Sequence, residues 1–168
     1  MSDTLTTLIR LVLKAVHTKD LDLADPRSTL DLTLENSLAS VTGSGQADVI
    51  FHDRRTISAG GSEALDLAGA LTDQYGATVT FVKIKAMIFR NANTSGAGVL
   101  AVGGAAANQF VNWVADSSDI VNIQATGILL LTAPLAGFAV TAGTGDQLKV
   151  AASGADVTYD VVLIGTSA

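Results

Sequence analysis

Between residues 79 and 165 apolar and polar positions alternate in short runs, and Gly, Ala, Thr and Asn fill the gaps between them. A period of two marks a strand whose successive side chains point to opposite faces of a sheet. The run 79–90 is the clearest. It places Val82, Ile84, Ala86 and Ile88 on one face and Phe81, Lys83, Lys85, Met87 and Phe89 on the other. The mixed second face implies partial cover by an N-terminal arm or by a neighbouring subunit. Further strands are predicted over 47–57, 63–67, 98–102, 109–114, 120–124, 128–132, 138–141, 147–151 and 157–164. Turn signals separate them at intervals of about 8–12 residues, the rhythm of an all-β sandwich. The expected fold is therefore all-β, a jelly-roll or Greek-key β-sandwich of about eight to ten strands. An immunoglobulin-like sandwich is the alternative, but its Cys and Trp signature is missing.

The N-terminal pattern differs. Leu5, Leu8, Ile9, Val12, Leu13 and Val16 recur at the spacing that lines one face of a helix, with Arg10 and Lys14 off it, which predicts a short amphipathic helix. An extended arm competes with it, because a run of about three turns is marginal in water. Either form leaves an apolar face in need of a partner, and these six residues are the candidate interaction set. Residues 19–29 are rich in charge and contain Pro26, which reads as a linker. Leu30, Leu32 and Leu34 then alternate with Asp31, Thr33 and Glu35, which predicts the first strand of the body. This division gives an arm and linker over 1–29 and a sandwich domain over 30–168.

Composition narrows the function. A formal charge of −6 argues against a phosphate-backbone binder, which needs clustered cations. Cysteine is absent, so disulfides and thiolate metal sites are excluded. The apolar stretch near the start is shorter than the roughly 20 residues of a membrane span, and Met1-Ser-Asp-Thr lacks the basic opening of a secretory signal. Neither nucleic acid nor membrane is an expected partner.

Candidate chemistry is sparse. His52-Asp-Arg-Arg is the one cluster that combines an imidazole, a carboxylate and guanidinium groups, yet strand alternation sends His52 and Arg54 to one face and Asp53 and Arg55 to the other. Arg54 and Arg55 are read instead as partners for carboxylates of a neighbouring subunit. His17 stands apart, and two histidines without cysteine do not make a zinc site. Asp20, Asp22 and Asp25, or Asp116 and Asp119 with Asn112 and Asn122, offer oxygen ligands for calcium, but without EF-hand spacing they read as solvated loop carboxylates. No serine-nucleophile elbow occurs, and Gly103-Gly-Ala and Gly143-Thr-Gly-Asp read as turns, not phosphate loops. Trp113, with Asn112 and Asp116, is the one candidate platform for a sugar. No catalytic residue, cofactor or metal is expected.

Several pieces of the chain carry a resemblance: Gln46-Ala-Asp, Asp53-x-Arg55-Thr56, Glu63-x-Leu65-Asp-Leu-Ala-Gly69, Leu71-Thr-Asp73, Gly103-Gly-Ala105, Thr141-Ala-Gly-Thr-Gly-Asp146 and Thr158-Tyr-Asp160. Together, over residues 46–165, they resemble small virion proteins of tailed bacteriophages, and most of all capsid decoration, or cement, proteins. The resemblance implies a non-enzymatic jelly-roll subunit, a homotrimer, seated over junctions of the major capsid protein on the virion surface and made in the cytoplasm of a bacterial host. A receptor- or glycan-binding head on a tail fibre or baseplate is the second expectation. A polysaccharide-cutting enzyme built on His52 and Asp53 is a distant third, since glycosidases need two carboxylates facing one cleft.

Overall fold

A computed structural model describes residues 4–168, and Met1–Asp3 of the expected arm lie outside them. Alternating apolar residues form strands wherever turn residues bound them. In chain order these are β1 (Thr7–Thr18), β2 (Arg27–Leu38), β3 (Val49–Ile57), β4 (Ser62–Asp66), β5 (Leu71–Thr72), β6 (Thr78–Val79), β7 (Lys83–Asn91), β8 (Val99–Gly103), β9 (Ile120–Ile123), β10 (Ile128–Thr132), β11 (Phe138–Ala139), β12 (Gln147–Ser153) and β13 (Val157–Thr166).

Two antiparallel sheets make the body. The first runs β10-β7-β13-β3, with the short β11 also against β7, and the second runs β4-β12-β8-β9. Four nested pairs result, β3 with β13, β4 with β12, β7 with β10 and β8 with β9, so the chain folds back on itself as it wraps. This is the strand order of a jelly roll. β5 and β6 form a separate two-stranded ribbon.

Between the sheets lies one apolar core. β13 contributes Val157, Tyr159, Val161 and Leu163, all fully buried, and Met87 and Phe89 of β7 stand beside them. Leu100 and Val102 of β8 and Leu148 and Val150 of β12 close the core from the second sheet. Phe89 and Tyr159 stack with ring centroids 6.3 Å apart. Near the end of β13 the register with β7 shifts between Ile164 and Gly165. The extra residue of β7 is Lys85, so Ile84 joins Met87 and Phe89 in the core although Ala86 faces outward; Lys85 is itself buried, and its Nζ donates to the Leu135 carbonyl at 2.7 Å. Burial, and then the neighbouring Lys83, hold that ammonium below the ordinary lysine value.

Four expectations change. The segment predicted as an amphipathic helix is a strand, β1, paired residue for residue with β2 from Thr7↔Leu38 to Thr18↔Arg27. β-branched Thr7, Ile9, Val12, Val16 and Thr18 favour the extended form, and a second alternating segment supplies the hydrogen bonds that a lone helix of this length would have to find internally. Leu30, Leu32 and Leu34 complete this hairpin instead of opening the body, and residues 19–26 are its turn, closed by Lys19 N donating to the Pro26 carbonyl. Residues 109–114 form no strand: Gln109 makes a single bridge to Gln147, and Val114 N turns back to the Val111 carbonyl. On β7, finally, Met87 and Phe89 of the mixed face point into the core together with Ile84 of the other face, Lys83 is exposed, and the root of the arm packs against Ala86.

Candidate functional site

The hairpin β1–β2 is the most unusual part of the molecule. At about 3.4 Å per residue its 12-residue strands extend about 40 Å. Every residue from 10 to 35 is exposed. Opposed residues share a face, so Ile9, Leu11, Leu13 and Ala15 lie beside Asn36, Leu34, Leu32 and Leu30. The leucines of this face are 40–51% exposed, although they have no polar atom to offer water. The other face is laced by ion pairs, Arg10 to Glu35 at 2.9 Å and Lys14 to Asp31 at 2.8 Å, between which Leu8, Val12 and Val16 stand opposite Ser37, Thr33 and Thr29.

The predicted interaction residues therefore do not share one face. Ile9 and Leu13 lie on the apolar side, whereas Leu8, Val12 and Val16 lie among the ion pairs, because a period of two separates what a period of 3.6 would bring together. Leu5 precedes the strand and packs at its base. Helical spacing passed over Leu11, Leu30, Leu32 and Leu34, although the alternation Ile9-x-Leu11-x-Leu13-x-Ala15 carries the signal.

At its root the hairpin rests on the outer face of the first sheet. Leu38, with Leu5 and Ile9, packs against Ala47, Ala86, Ile164 and Ile50. Register arranges that outer face in rows. Ile50, Ile164, Ala86 and Thr132 form the row under the hairpin root; His52, Val162, Ile88 and Leu130 form the next; Arg54, Asp160, Arg90 and Ile128 form the third. In the third row Arg54 grips Asp160 with both ends of its fork, Nε to Oδ1 at 2.6 Å and Nη2 to Oδ2 at 3.0 Å, and Arg90 approaches the same carboxylate at 3.6 Å. The Arg54 hydrogen bond holds the Asp160 carboxyl below the ordinary carboxylate range, against a smaller opposing effect of burial.

Beside these rows the turn at Asp73–Ala77 projects, with Asp73 Oδ1 accepting from Tyr75 N and Ala77 N and the Tyr75 ring 93% exposed. A groove of about 440 Å³ runs between this turn and the hairpin root, lined in part by Leu5, Ile50, His52 and Tyr75. Thr4, Asp48, Asp73, Gln74 and Thr78 line it too, so polar and apolar groups share the groove.

Arg55 takes the opposite side of β3. Its Nε meets Asp53 at 2.9 Å, its Nη1 meets Glu63 of β4 at 2.5 Å, and its guanidinium lies 5.7 Å from the Phe51 ring centre. Burial lowers the Arg55 pKa, but the Glu63 hydrogen bond and charge outweigh it and the net change is upward. Tyr159 OH donates to the other Glu63 oxygen at 2.9 Å, and burial followed by the Glu63 charge drives its phenol well above the ordinary value. These groups tie the first sheet to the second at its edge. Arg54 and Arg55, expected to reach carboxylates of another subunit, thus both find them within the chain. Their partners, Asp160 and Glu63, lie 106 and 8 residues away and carry no local signal.

The remaining candidates are spread apart. His52 and Arg54 do share one face and Asp53 and Arg55 the other, as alternation requires. Among the described residues no three His, Asp or Glu side chains gather as metal ligands. Asp116 accepts from Ser118, and Asp119 from the backbone of Ala115 and Asp116, so both cap turns. Trp113 packs against the core and donates its indole N–H to the Phe110 carbonyl, while Asn112 donates to the Ala139 carbonyl. No helix of the described residues is long and apolar enough to cross a membrane. Compared with family models, curated proteins and solved structures, the chain matches none.

Proposed function

We propose that this chain is a structural virion protein, a capsid decoration or cement subunit that binds and stabilises the head shell of a tailed bacteriophage. The observation that carries the reading is the hairpin: a 12-residue two-stranded arm, exposed from residue 10 to 35, whose leucine face lacks a partner. A lone two-stranded ribbon is marginal in water, so a protein that maintains one has something for it to hold. The jelly-roll body and the net charge of −6 suit a part that sits on an assembly and contacts the major capsid protein. A tail-fibre or baseplate glycan-binding head has less support, because the Trp113 indole N–H and Asn112 amide are already used within the chain.

The test is the number of copies per purified particle relative to the major capsid protein, by quantitative mass spectrometry. A ratio near one is expected. A ratio far below one moves the protein to a tail or vertex, and absence from particles removes it from the virion. Binding to shells that lack it, compared between the full chain and a variant with Leu11, Leu13 and Leu32 changed to Ser, then asks whether the hairpin is the point of attachment.

A further inference from the structure

We propose that the hairpin is a hinged arm, which exchanges between the docked position of the structure and a released one by turning about residues 39–46. The inference concerns the attachment of the arm to the body and holds whatever the arm grips.

The first ground is how little ties the arm down. Among the described residues no hydrogen bond or ion pair joins residues 5–38 to the body. The ladder and the two ion pairs of the hairpin are internal to it, and Leu5 N donates to Ser40 Oγ within the connection itself. What docks the arm is the small contact of Leu5, Ile9 and Leu38 with Ala47, Ile50, Ala86 and Ile164. Two of those four body residues are alanines, with little apolar area to bury.

The second ground lies inside that contact. Thr7 stands opposite Leu38, on the hairpin face that packs against the body. Thr166 follows Ile164 on the sheet face that meets it, since alternate residues of a strand share a face. Thr7 is 8% exposed and Thr166 fully buried, yet neither hydroxyl reaches a hydrogen-bond partner among the described residues. A buried hydroxyl left unpaired forfeits the bonds it would make to water, so docking is opposed at two points of the contact that favours it. Release returns both groups to solvent.

The third ground is the connection. Val41 has a φ of 147°, which a β-branched residue rarely adopts, and it is 54% exposed, so core packing does not hold it there. Gly43 and Gly45 follow, the latter at a φ of 69°. Ala39 N donates to the Gly45 carbonyl, Ala47 N to the Ala39 carbonyl and Gly43 N to Gln46 Oε1, all within the link, while Gly45 N to the Pro134 carbonyl fixes its far end to the body. A strained, glycine-bearing link beside a lightly docked root has the form of a hinge. The arm beyond it is stiff, because its 12-residue strands make one unbroken ladder. Release also uncovers Ile50, Ala86 and Ile164, so a partner that binds that sheet face shifts the exchange.

Because the chain has no cysteine, nitroxide labels can be placed at Thr33→Cys on the arm and Ser153→Cys on the body, both exposed positions. Pulsed electron double resonance reads the distance between them, with the labelled chain diluted in unlabelled chain so that only distances within one molecule count. One docked distance and a second, broader released population are expected. Changing Thr7 and Thr166 together to Val removes the unpaired hydroxyls and is expected to raise the docked-to-released ratio about tenfold or more. Leu38→Ala weakens the contact and is expected to lower the ratio by about as much, with the thermal transition of the body retained. A single docked distance that Leu38→Ala leaves unchanged overturns the proposal. So does a fall in the docked fraction on changing the threonines to Val, which shows that their hydroxyls are satisfied when docked.

Discussion

Tyr159, Val161 and Leu163 of β13 and Leu11, Leu13 and Ala15 of β1 follow the same alternating pattern, yet the first three are fully buried and the two β1 leucines are about half exposed. Local propensity is not what separates them. β13 lies in the middle of a four-strand order and faces a second sheet, so both its edges and its apolar face are covered. β1 has one neighbour, and beyond its root nothing among the described residues covers its apolar face. Fully burying a leucine is worth about 1.5–3 kcal/mol, so each hairpin leucine leaves roughly half of that unrealised in the single chain. One region has used its hydrophobic free energy on folding; the other has used only part of it.

The sharpest way to break this comparison is to truncate one leucine in each region. Leu163→Ala opens a cavity in a closed core and is expected to cost about 3–4 kcal/mol, read as a fall in the urea midpoint at constant slope. Leu13→Ala should shift the body's unfolding by less than about 0.5 kcal/mol, as an exposed position away from the core does. Similar costs at the two sites mean that the hairpin is part of the folding unit, and the contrast fails.

Gly165 tests the body at a second point, where β13 and β7 change register. A Cβ there collides with the Lys83 carbonyl and presses on the Phe81 ring, with backbone on one side and core on the other. Gly165→Ala is expected to destabilise by about 3 kcal/mol through overpacking. A loss within error of zero shows that the bulge can open to admit the methyl group.

A milder probe concerns the tie between sheets. Tyr159→Phe keeps the stacked ring but removes the hydroxyl that donates to Glu63, with an expected cost of about 1 kcal/mol. Arg55 still satisfies Glu63 in the variant, which is why the loss stays small. A loss above about 3 kcal/mol points to a network in which Arg55, Glu63 and Tyr159 depend on one another, to be resolved by a double-mutant cycle.

Much of the body was legible because turn residues and period-two runs are local. Predicted runs overlap β3, β4, and every strand from β7 to β13, and the inward set Met87 and Phe89 lies in a run read correctly as a strand. Its two faces depart from strict alternation because nothing local reveals the bulge that brings Ile84 and Met87 to the same side, and Lys83 and Lys85 make one face look half-solvated. The hairpin was misread for a related reason. Leu5, Leu8, Ile9, Val12, Leu13 and Val16 satisfy a helical period, while the alternation of Ile9, Leu11, Leu13 and Ala15 satisfies a strand. What decided between them was a partner segment at 27–38 that had been counted as linker and body. Arg54 and Arg55 were correctly placed on opposite faces of β3, but which carboxylates they meet is set by long-range register, as in the pairing Asp160↔Arg54.

That register makes the smallest and most specific prediction. Arg54 keeps the Asp160 carboxyl ionised to lower pH in the folded chain than in the unfolded one, where an aspartate titrates near about 3.9. Below that value the unfolded chain takes up the proton first, so the pair's contribution is complete above about pH 4 and fades as pH falls through the folded value. Stability measured from pH 5 downward should therefore fall slightly less steeply for Asp160→Asn than for the wild type. The two curves should converge at the acid end, apart from a constant offset from the amide. Because the Arg54 side chain is 65% exposed, added salt should shrink the difference. Parallel curves at every pH mean that the fork orders the sheet face without stabilising the fold.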